Sequence, residues 1–267
     1  MVGFRAFLRW ELERSGEVVR AVRAVDTATD PSHQRQGIFS RLTRHALAEL
    51  TAAGVAFVFN TPNDKSRPGY LKMGWREVGR VPVGVRPSGL RGIPRLAAAR
   101  GGGGERWSRP STAGVAAPEL LADTDGVAAL LASQPGGDDA LRTRRSPAYL
   151  AWRYGFEPLA YRAVPAGEAA AEGFVILRVR SRGGAAEAAV CEVLVPGGDA
   201  GAARRVLARA AGEVEADYLS SAGSGRMAAG FVPVPGQGPL LVWRALTETD
   251  MPTLASWSLS LGDLELF

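Results

Sequence analysis

Apolar and polar residues alternate along the first thirty positions of the chain. The stretches GFRAFLRWEL (3–12) and EVVRAVRAVDTAT (17–29) both carry apolar or β-branched residues at a period near two. Arg14, Ser15 and Gly16 stand between them. This pattern is typical of two strands joined by a tight turn, so the sequence predicts a β-hairpin.

The period changes to that of a helix between Ile38 and Ala53. The apolar residues of this stretch recur at helical spacing and define one stripe: Phe39, Leu42, Ala46, Leu50 and Ala53. Such a stripe predicts an amphipathic helix that packs on a core. The following segments predict a buried strand at 55–60, a turn and short helix at 61–75, and a strand at 76–85 that closes the first unit.

The second half of the chain repeats this order of elements. It shows a second hairpin at 172–195, a helix at about 200–216, and strands at 217–222 and 239–246. We therefore predict a divergent internal duplication. The expected fold class is α/β (α+β), with two tandem units, each a mixed, mostly antiparallel central sheet flanked by helices.

The second copy carries a front section that the first copy lacks. Helical patterns at 123–133 and 146–155 and a strand pattern at 159–164 precede its hairpin, whereas the given sequence shows no such patterns before Gly3. The first unit therefore begins inside a domain. Two explanations stay open: the chain is a truncated form, or another segment covers the exposed edge of the first sheet.

A stretch rich in Gly, Pro, Ser and Arg separates the two halves. The glycines at 101–104 cannot form a helix or strand without a large entropic cost. We predict a first unit at 1–84, a linker at 85–117 with a short helix around 95–100, a degenerate second unit at 118–247, and a tail at 248–267 that packs on its domain.

Length and composition narrow the class of protein. The 267 residues are 46% hydrophobic, and no apolar run is long enough to cross a bilayer. Charged residues occupy the N-terminal positions where a signal peptide would be apolar, which predicts a cytoplasmic protein without a membrane partner. One cysteine and two histidines argue against an intrachain disulfide and a zinc site, so no metal is expected.

The formal net charge is +5, and almost all of it comes from arginine, since Lys65 and Lys72 are the only lysines. A basic chain can attract nucleic acid or phosphorylated small molecules. These arginines are dispersed, and no basic stretch is interleaved with aromatic residues. The pattern favours a solvated surface with a few anion contacts and disfavours a nucleic-acid partner.

The loop between the first hairpin and the first helix can hold an anion. The first turn of a helix leaves backbone N–H groups unpaired, and the helix dipole adds partial positive charge. Gly37 allows the backbone to approach a phosphate closely, and Arg35 adds a mobile positive charge. The loop therefore predicts a phosphate site at the helix N-terminus, although ordinary connections also place a glycine there.

At this loop the sequence resembles the GNAT superfamily of acyl-CoA-dependent N-acyltransferases. The pyrophosphate loop of that family reads Gln or Arg, two residues, Gly, one residue, then Gly or Ala. Gln34, Arg35, Gln36, Gly37 and Ile38 fit this pattern, and Phe39 departs from it at the last place. A second family element is an Asn after the fifth strand, followed seven residues later by a Tyr before Gly-Phe or Gly-Trp, and Asn63, Tyr70 and Gly74-Trp75 match it. The resemblance is clear over residues 1–85 and faint in the second half.

The resemblance implies how an acyl-CoA would be held. The strand that ends at Thr27, Ala28 and Thr29 would separate from its neighbour and offer backbone groups to the pantetheine arm and the thioester carbonyl. The loop 34–40, including Ser40, would hold the pyrophosphate. Tyr70 would lie near the sulfur and protonate the leaving thiolate. Asn63 is a candidate cofactor-binding residue, with a turn or helix cap as the alternative.

The general base is left open between Asp26 and Glu11. The second copy lacks the loop, because PGGDAGAARRVL stands in its place and Asp199 would repel a phosphate. We expect one CoA-binding half that transfers an acyl group, with acetyl-CoA as the first candidate, to an amine. The alternative is a non-catalytic acyl-CoA-binding or regulatory module. The sequence does not identify the acceptor, the acyl length or the oligomeric state.

Overall fold

The computed structural model describes residues 1–89, 92–99, 102–136, 139–223 and 229–265. The chain forms two compact units, each assembled from three separate segments. Unit 1 comprises Met1–Val81, Gly137–Arg144 and Pro239–Ser258. Unit 2 comprises Pro82–Gly136, Arg145–Gly238 and Leu259–Phe267.

Unit 1 is built on a mixed, mostly antiparallel sheet. Its strands are β1 (Gly3–Arg14), β2 (Glu17–Thr29), β3 (Phe57–Asn60), β4 (Arg76–Arg80), β7 (Leu141–Thr143), β13 (Leu240–Ala245) and β14 (Trp257–Ser258). Within the described residues the sheet has seven strands in the order β14-β7-β1-β2-β3-β13-β4. The helices of this unit are α1 (Ile38–Ala52) and α2 (Arg67–Lys72).

The predicted hairpin is confirmed as the antiparallel pair β1–β2. Arg14 pairs with Glu17, which leaves a two-residue turn of Ser15 and Gly16 with φ of 51° and 81°. Positive φ at both positions suits the right-handed twist of the strands. The register shifts between Arg5 and Phe7, so β2 carries an extra residue there. This bulge turns the end of β2 relative to the rest of the sheet.

The strand β2 extends beyond the part of it that pairs with β3. It pairs in parallel with β3 only from Ala21 to Arg23, which lie opposite Phe57 to Phe59. Beyond Arg23, β2 continues to Thr29 and is paired with β1 alone in the described ladders. The two central strands of unit 1 therefore separate at their carboxyl ends.

The predicted helix is confirmed as α1, but its buried face is shifted from the predicted stripe. Ile38, Thr43 and Leu47 are the buried residues of α1. The stripe residues Phe39 and Leu50 are partly buried at the margin of the core, and Ala53 is exposed. Leu47 packs on β2 and β3, and Phe39 contacts Tyr70 of α2. The most buried residues of α1 therefore lie between the positions of the predicted stripe.

A segment from later in the chain pairs with the outer edge of β1. Leu12 and Glu13 lie opposite Thr143 and Arg142 of β7. The buried indole nitrogen of Trp10 donates to the hydroxyl of Thr143 at 3.0 Å. β14 pairs in parallel with β7. Segments from later in the chain thus extend the sheet of unit 1 beyond the outer edge of β1.

Unit 2 repeats the sheet order with its own front section. Its strands are β5 (Val83–Pro87), β6 (Val115–Ala116), β8 (Arg162–Pro165), β9 (Phe174–Arg182), β10 (Ala185–Leu194), β11 (Tyr218–Ala222) and β12 (Val232–Pro233). In the part of the chain that the structure describes, they form a seven-stranded sheet in the order β12-β5-β11-β10-β9-β8-β6. Its helices are α3 (Gly92–Ala99), α4 (Ala117–Leu121), α5 (Thr124–Ala132), α6 (Pro147–Tyr154), α7 (Ala200–Glu213) and α8 (Leu261–Leu264).

The second hairpin has the same irregularity as the first. β9 and β10 pair antiparallel with a register shift between Val190 and Glu192, and β10 pairs in parallel with β11 only from Glu187 to Val190. A bulge followed by the divergence of two parallel strands therefore occurs in both units. This shared construction supports a tandem, duplicated fold.

The units differ from the predicted boundaries at 84, 117 and 247. The segment 76–85 was expected to be one strand of the first unit, but it forms β4 in unit 1 and β5 in unit 2. The expected last strand of the second copy is β13, which lies between β3 and β4 of unit 1. The expected linker contains α3, β6 and part of β5, all in unit 2 apart from the residues outside the described ranges.

The break between β4 and β5 has a local cause. Val81 donates its backbone N–H to Pro239, and the next residue, Pro82, has no N–H with which to continue a ladder. Alternation of apolar and polar residues identifies a strand, but it does not show in which sheet the strand pairs. The boundaries therefore depend on long-range pairing that the local pattern does not contain.

The placement of β13 in the sheet of unit 1 can be tested with a matched pair of substitutions. Val242 is fully buried on β13, whereas Val232 on β12 is 61% exposed. Val242→Ala should lower the free energy of unfolding by about 2 kcal/mol, because it removes two buried carbons and leaves a cavity. Val232→Ala should change it by less than about 0.5 kcal/mol. Urea unfolding measures both values.

Amide hydrogen exchange then shows which of the two sheets is weakened by the Val242→Ala substitution. Val242 lies opposite Asn60, so Val242→Ala should weaken the protection of the β3 amides. Unchanged protection in β3 together with a loss in β11 would contradict the placement of β13 in unit 1.

Candidate functional site

The separated end of β2 is the first part of the candidate site. Thr27, Ala28 and Thr29 pair with β1, and the side chains of Thr27 and Ala28 are exposed. The hydroxyl of Thr27 donates to the carbonyl of Phe4 at 3.1 Å. No ladder among the described strands joins this end of β2 to β3. One edge of β2 can therefore receive a ligand that carries amide groups, as an added strand would.

A tight turn directs the chain from β2 to the loop. The carboxylate of Asp30 accepts the backbone N–H of Ser32 at 2.8 Å and also the hydroxyl of Ser32. Hydrogen bonds from Ser32 and then His33 lower the pKa of the Asp30 carboxyl, although the group is exposed. The carboxylate therefore closes a turn of 3-10 helix at 31–33. His33 is engaged with Asp30, at 3.3 Å.

The loop that follows brings uncapped backbone donors to the surface. Arg35 and Gly37 both adopt the left-handed conformation, with φ of 63° and 72°. Gly37 is the N-cap of α1, where no side chain accepts from the first turn and no acidic residue stands in that turn. The N–H groups of the first turn, at Ile38 to Ser40, are therefore available to an anion.

The space in front of Gly37 is open. A Cβ placed on Gly37 would meet no atom within 4 Å. Gln34, Arg35 and Gln36 are exposed around it. A glycine in the left-handed region with free space beside it can be approached closely by a bulky anion, so the loop fits a phosphate group.

Tyr70 lies at the base of the site rather than on its surface. The residue is 3% exposed, and its hydroxyl accepts a hydrogen bond from the guanidinium of Arg5 at 2.7 Å. Burial raises the pKa of the Tyr70 hydroxyl, while the charge and the hydrogen bond of Arg5 act to lower it. The sequence predicted Tyr70 as a candidate, but not its partner.

Arg5 is the residue of the site that sequence reasoning missed. Its guanidinium also donates to the carbonyl of Val25 at 3.0 Å, on the separated part of β2. The only signal in the sequence is an arginine within an apolar strand, and an alternating strand normally places such a residue in solvent. In the structure the guanidinium instead lies against the rings of Phe39 and Tyr70, opposite the bulge of β2.

Phe39 replaces the small residue of the family pattern without closing the loop. Its ring packs edge-on against Tyr70, with centroids 5.6 Å apart. A Cβ on Gly69 would lie 3.3 Å from this ring, so the glycine of α2 makes room for it. Phe39 is therefore part of the packing that surrounds Tyr70.

Asn63 has the structural role that was its alternative interpretation. Its side-chain oxygen accepts the backbone N–H groups of Lys65 and Ser66, at 3.1 and 2.9 Å. These bonds form the turn that leads into α2. Asn63 thus positions Tyr70 through the start of the helix.

The two candidate bases lie at opposite ends of the hairpin. Asp26 is exposed on the separated part of β2. Glu11 pairs in register with Arg20, before the parallel pairing of β2 begins, and its carboxylate binds Arg144 at 2.8 Å. Register therefore brings Asp26, and not Glu11, to the end of the sheet that carries Tyr70 and the loop.

The equivalent helix of unit 2 carries its own anion. Asp199 is the N-cap of α7, and its carboxylate accepts the backbone N–H of Ala202 at 2.7 Å. A built-in carboxylate takes the position that is open at Gly37 and repels a second negative charge. This is consistent with the expectation that the second copy does not bind a phosphate.

The separated strands of unit 2 are covered by the end of the chain. A Cβ on Gly262 of α8 would lie 2.8 Å from the carbonyl of Cys191, just beyond the point where β10 leaves β11. Arg145 joins Glu192 of β10 to Asp263 of α8, at 2.7 and 3.3 Å. Residues 259–265 therefore pack within unit 2.

Within the described ranges, no group of three His, Cys, Asp or Glu side chains is arranged to hold a metal ion. None of the helices in those ranges combines the length and the apolar character of a membrane span.

Comparisons with known proteins agree with this geometry. Residues 1–78 match the family model for an acetyltransferase (GNAT) domain. No curated protein gives a significant match. Among solved structures, a GCN5-related N-acetyltransferase from Kribbella flavida aligns with 92% of this chain and 58% of its own, at 14% identity and a TM-score of 0.52.

Two other structures show the same extent of similarity. A GCN5-related N-acetyltransferase from Anabaena variabilis (12% identity, TM-score 0.54) covers 91% of this chain and 59% of its own. Eis1 from Mycobacterium abscessus (13% identity, TM-score 0.54) covers 92% and 61%. The chain thus spans about three-fifths of the structures it matches. Residues 1–78 are therefore similar to a GNAT acetyltransferase domain, and the chain has a tandem GNAT-like fold.

Proposed function

We propose that unit 1 binds an acyl-CoA, with acetyl-CoA as the first candidate, and transfers the acyl group to an amine. The observation that carries the proposal is the uncapped first turn of α1 behind Gly37, next to the separated end of β2. In unit 2 the corresponding helix is capped by Asp199. Of the two units as far as the structure describes them, unit 1 therefore combines an uncapped helix start with a separated strand end, the two features that suit a CoA thioester.

The loop 34–40 supplies the binding energy for the pyrophosphate. Its donors are the backbone N–H groups around Gly37 and the first turn of α1, at Ile38, Phe39 and Ser40. The exposed side chains of Gln34, Arg35 and Gln36 can add contacts. Because the site presents fixed dipoles rather than a lysine cluster, it favours a diphosphate held close to the backbone.

The end of β2 positions the thioester. Backbone groups at Thr27, Ala28 and Thr29 can pair with the amides of the pantetheine arm, much as an added strand would. A backbone N–H in this segment can also stabilise the oxyanion that forms when the amine attacks the carbonyl. The separation of β2 from β3 provides the edge on which this arm lies.

The chemistry is a direct transfer. The neutral amine attacks the thioester carbonyl, a C–N bond forms, and the C–S bond breaks as the tetrahedral intermediate collapses. The nitrogen loses a proton to a base, for which register favours Asp26, and the departing thiolate gains a proton from the hydroxyl of Tyr70. The products are an amide and free CoA.

The alternative is a non-catalytic acyl-CoA-binding or regulatory module. One observation favours it: Tyr70 is buried, and Arg5 already occupies one side of its hydroxyl. A calorimetric titration with acetyl-CoA, followed by a thiol-release assay on a panel of amines, separates the two. Binding with turnover supports the enzyme, binding without turnover supports the module, and absence of binding overturns both.

Gly37→Val should weaken acetyl-CoA binding at least about tenfold. A β-branched residue is strained by about 1–2 kcal/mol in the left-handed region, so the loop relaxes and its N–H groups turn away; the side chain also fills the open space. Gly16→Val is the matched control, because Gly16 has φ of 81° and equally open surroundings in the hairpin turn. Calorimetry should show normal affinity for the control. Equal losses in both variants would point to general destabilisation.

Tyr70→Phe should lower kcat about 100-fold and leave the Kd for acetyl-CoA unchanged, since it removes the proton donor and no binding group. Tyr218→Phe serves as the control, because Tyr218 is a buried tyrosine of unit 2. Steady-state kinetics measure kcat, and calorimetry measures Kd. An unchanged kcat in Tyr70→Phe would remove Tyr70 from the mechanism.

A further inference from the structure

Arg5 connects Tyr70 to the separated strand. One terminal nitrogen of its guanidinium donates to the Tyr70 hydroxyl at 2.7 Å, and the other donates to the carbonyl of Val25 at 3.0 Å. Because the guanidinium is planar and rigid, these two bonds fix the tyrosine hydroxyl relative to the strand that would carry the thioester.

Three aromatic rings hold the guanidinium in place. Its central carbon lies 4.7 Å from the ring centroid of Phe7, 5.5 Å from that of Phe39 and 5.4 Å from that of Tyr70. Contacts of this kind favour a cation and restrict its rotamers. Phe39, which stands where the family pattern has a small residue, therefore forms one wall of the space that holds the Arg5 guanidinium.

The positive charge of Arg5 is not neutralised by a direct ion pair. Among the described residues, no carboxylate forms a salt bridge with it, Asp26 acts on it only through space, and its Nε has no hydrogen-bond partner. Its two acceptors, a tyrosine hydroxyl and a carbonyl, are both uncharged. A partly buried cation without a counter-ion is costly to stability. Such a charge is useful where negative charge develops during a reaction.

We propose that Arg5 is a positioning residue, which directs the Tyr70 hydroxyl toward the end of β2 and stabilises the tyrosinate formed when Tyr70 gives its proton to the departing thiolate. The proposal rests on the proposed acyl transfer. The step is balanced: the O–H bond of Tyr70 breaks, an S–H bond forms on CoA, and the negative charge moves from sulfur to the phenolic oxygen beside Arg5. Solvent later returns the proton to Tyr70.

Arg5 is the charged group that acts on the Tyr70 hydroxyl. Arg5 comes from β1, and Asp26 of β2 acts on Arg5 at longer range. Two rings that pack on Tyr70, those of Phe39 in α1 and of Trp75 just before β4, carry no charge. Removal of the Arg5 charge should therefore act on Tyr70 directly.

The sign of the expected effect follows from this arrangement. Burial raises the pKa of Tyr70, and Arg5 lowers it. Arg5→Met should raise the pKa of Tyr70 further, so the tyrosine becomes a weaker acid. Because the reaction needs protonated Tyr70, the alkaline loss of activity should move to higher pH while the plateau kcat falls by about 10- to 100-fold.

The test combines a spectroscopic titration with a double-mutant cycle on the full chain. The tyrosinate absorbance of Tyr70 is obtained as the difference between each protein and its Tyr70→Phe partner. The variants are Arg5→Met, the charge-conserving Arg5→Lys, and Arg9→Met as a control for an exposed arginine of the same strand. Acetyl-CoA affinity, measured by calorimetry, shows whether each variant keeps its binding site.

The expected result has three parts. Arg5→Met raises the titration midpoint of Tyr70. Arg5→Lys keeps this midpoint close to that of the unmodified protein. When Tyr70 is already Phe, Arg5→Met lowers kcat by less than about twofold. Equal losses of kcat with and without Tyr70, or an unmoved midpoint, would overturn the proposal and indicate a packing role. A moved midpoint with no turnover on any amine would instead overturn the acyl transfer, and the catalytic role of Arg5 with it.

Discussion

The pairing of β2 with β3 stops at Arg23, and the candidate site depends on this limit. A parallel pair that continued to Thr29 would satisfy the backbone of both strands and leave no edge for a ligand. The bulge opposite Arg5 and Phe7 turns the end of β2 away, and the guanidinium of Arg5 satisfies one of the freed carbonyls, that of Val25. The separated edge is thus a built feature, which a charged side chain maintains.

The two units show how one construction can reach opposite outcomes. Both have a bulge and a short parallel pairing, and in both a helix begins after the separated strand. In unit 1 that helix begins at a glycine with open space in front of it, whereas in unit 2 Asp199 caps the helix. The strands of unit 2 are covered by α8, which the Arg145 ion pairs hold. A few polar residues therefore distinguish the open helix start of unit 1 from the capped and covered one of unit 2.

Local patterns predicted most elements of both units but not their assembly. The hairpin, α1, β3 and α2 follow from period, turn residues and capping, which are local properties of the chain. The placement of β13 and β5 depends on which sheet offers a free edge, and that is decided by pairing across more than a hundred residues. The loop at Gly37 was predictable because its chemistry is contiguous in sequence. Arg5 was not, because its contacts come from Val25, Phe39 and Tyr70 and exist only after folding.

The balance of stability and function at Arg5 explains why an arginine fits this position better than an apolar residue. A leucine or methionine would fill the space among Phe7, Phe39 and Tyr70 without the cost of desolvating a charge. It would also leave the carbonyl of Val25 and the hydroxyl of Tyr70 without their donor, in a region that is largely buried. The arginine satisfies both groups, and it places a positive charge at the phenol of Tyr70 beside the separated strand. The same side chain therefore stabilises the open edge on which the substrate would lie and the charge that its reaction would produce.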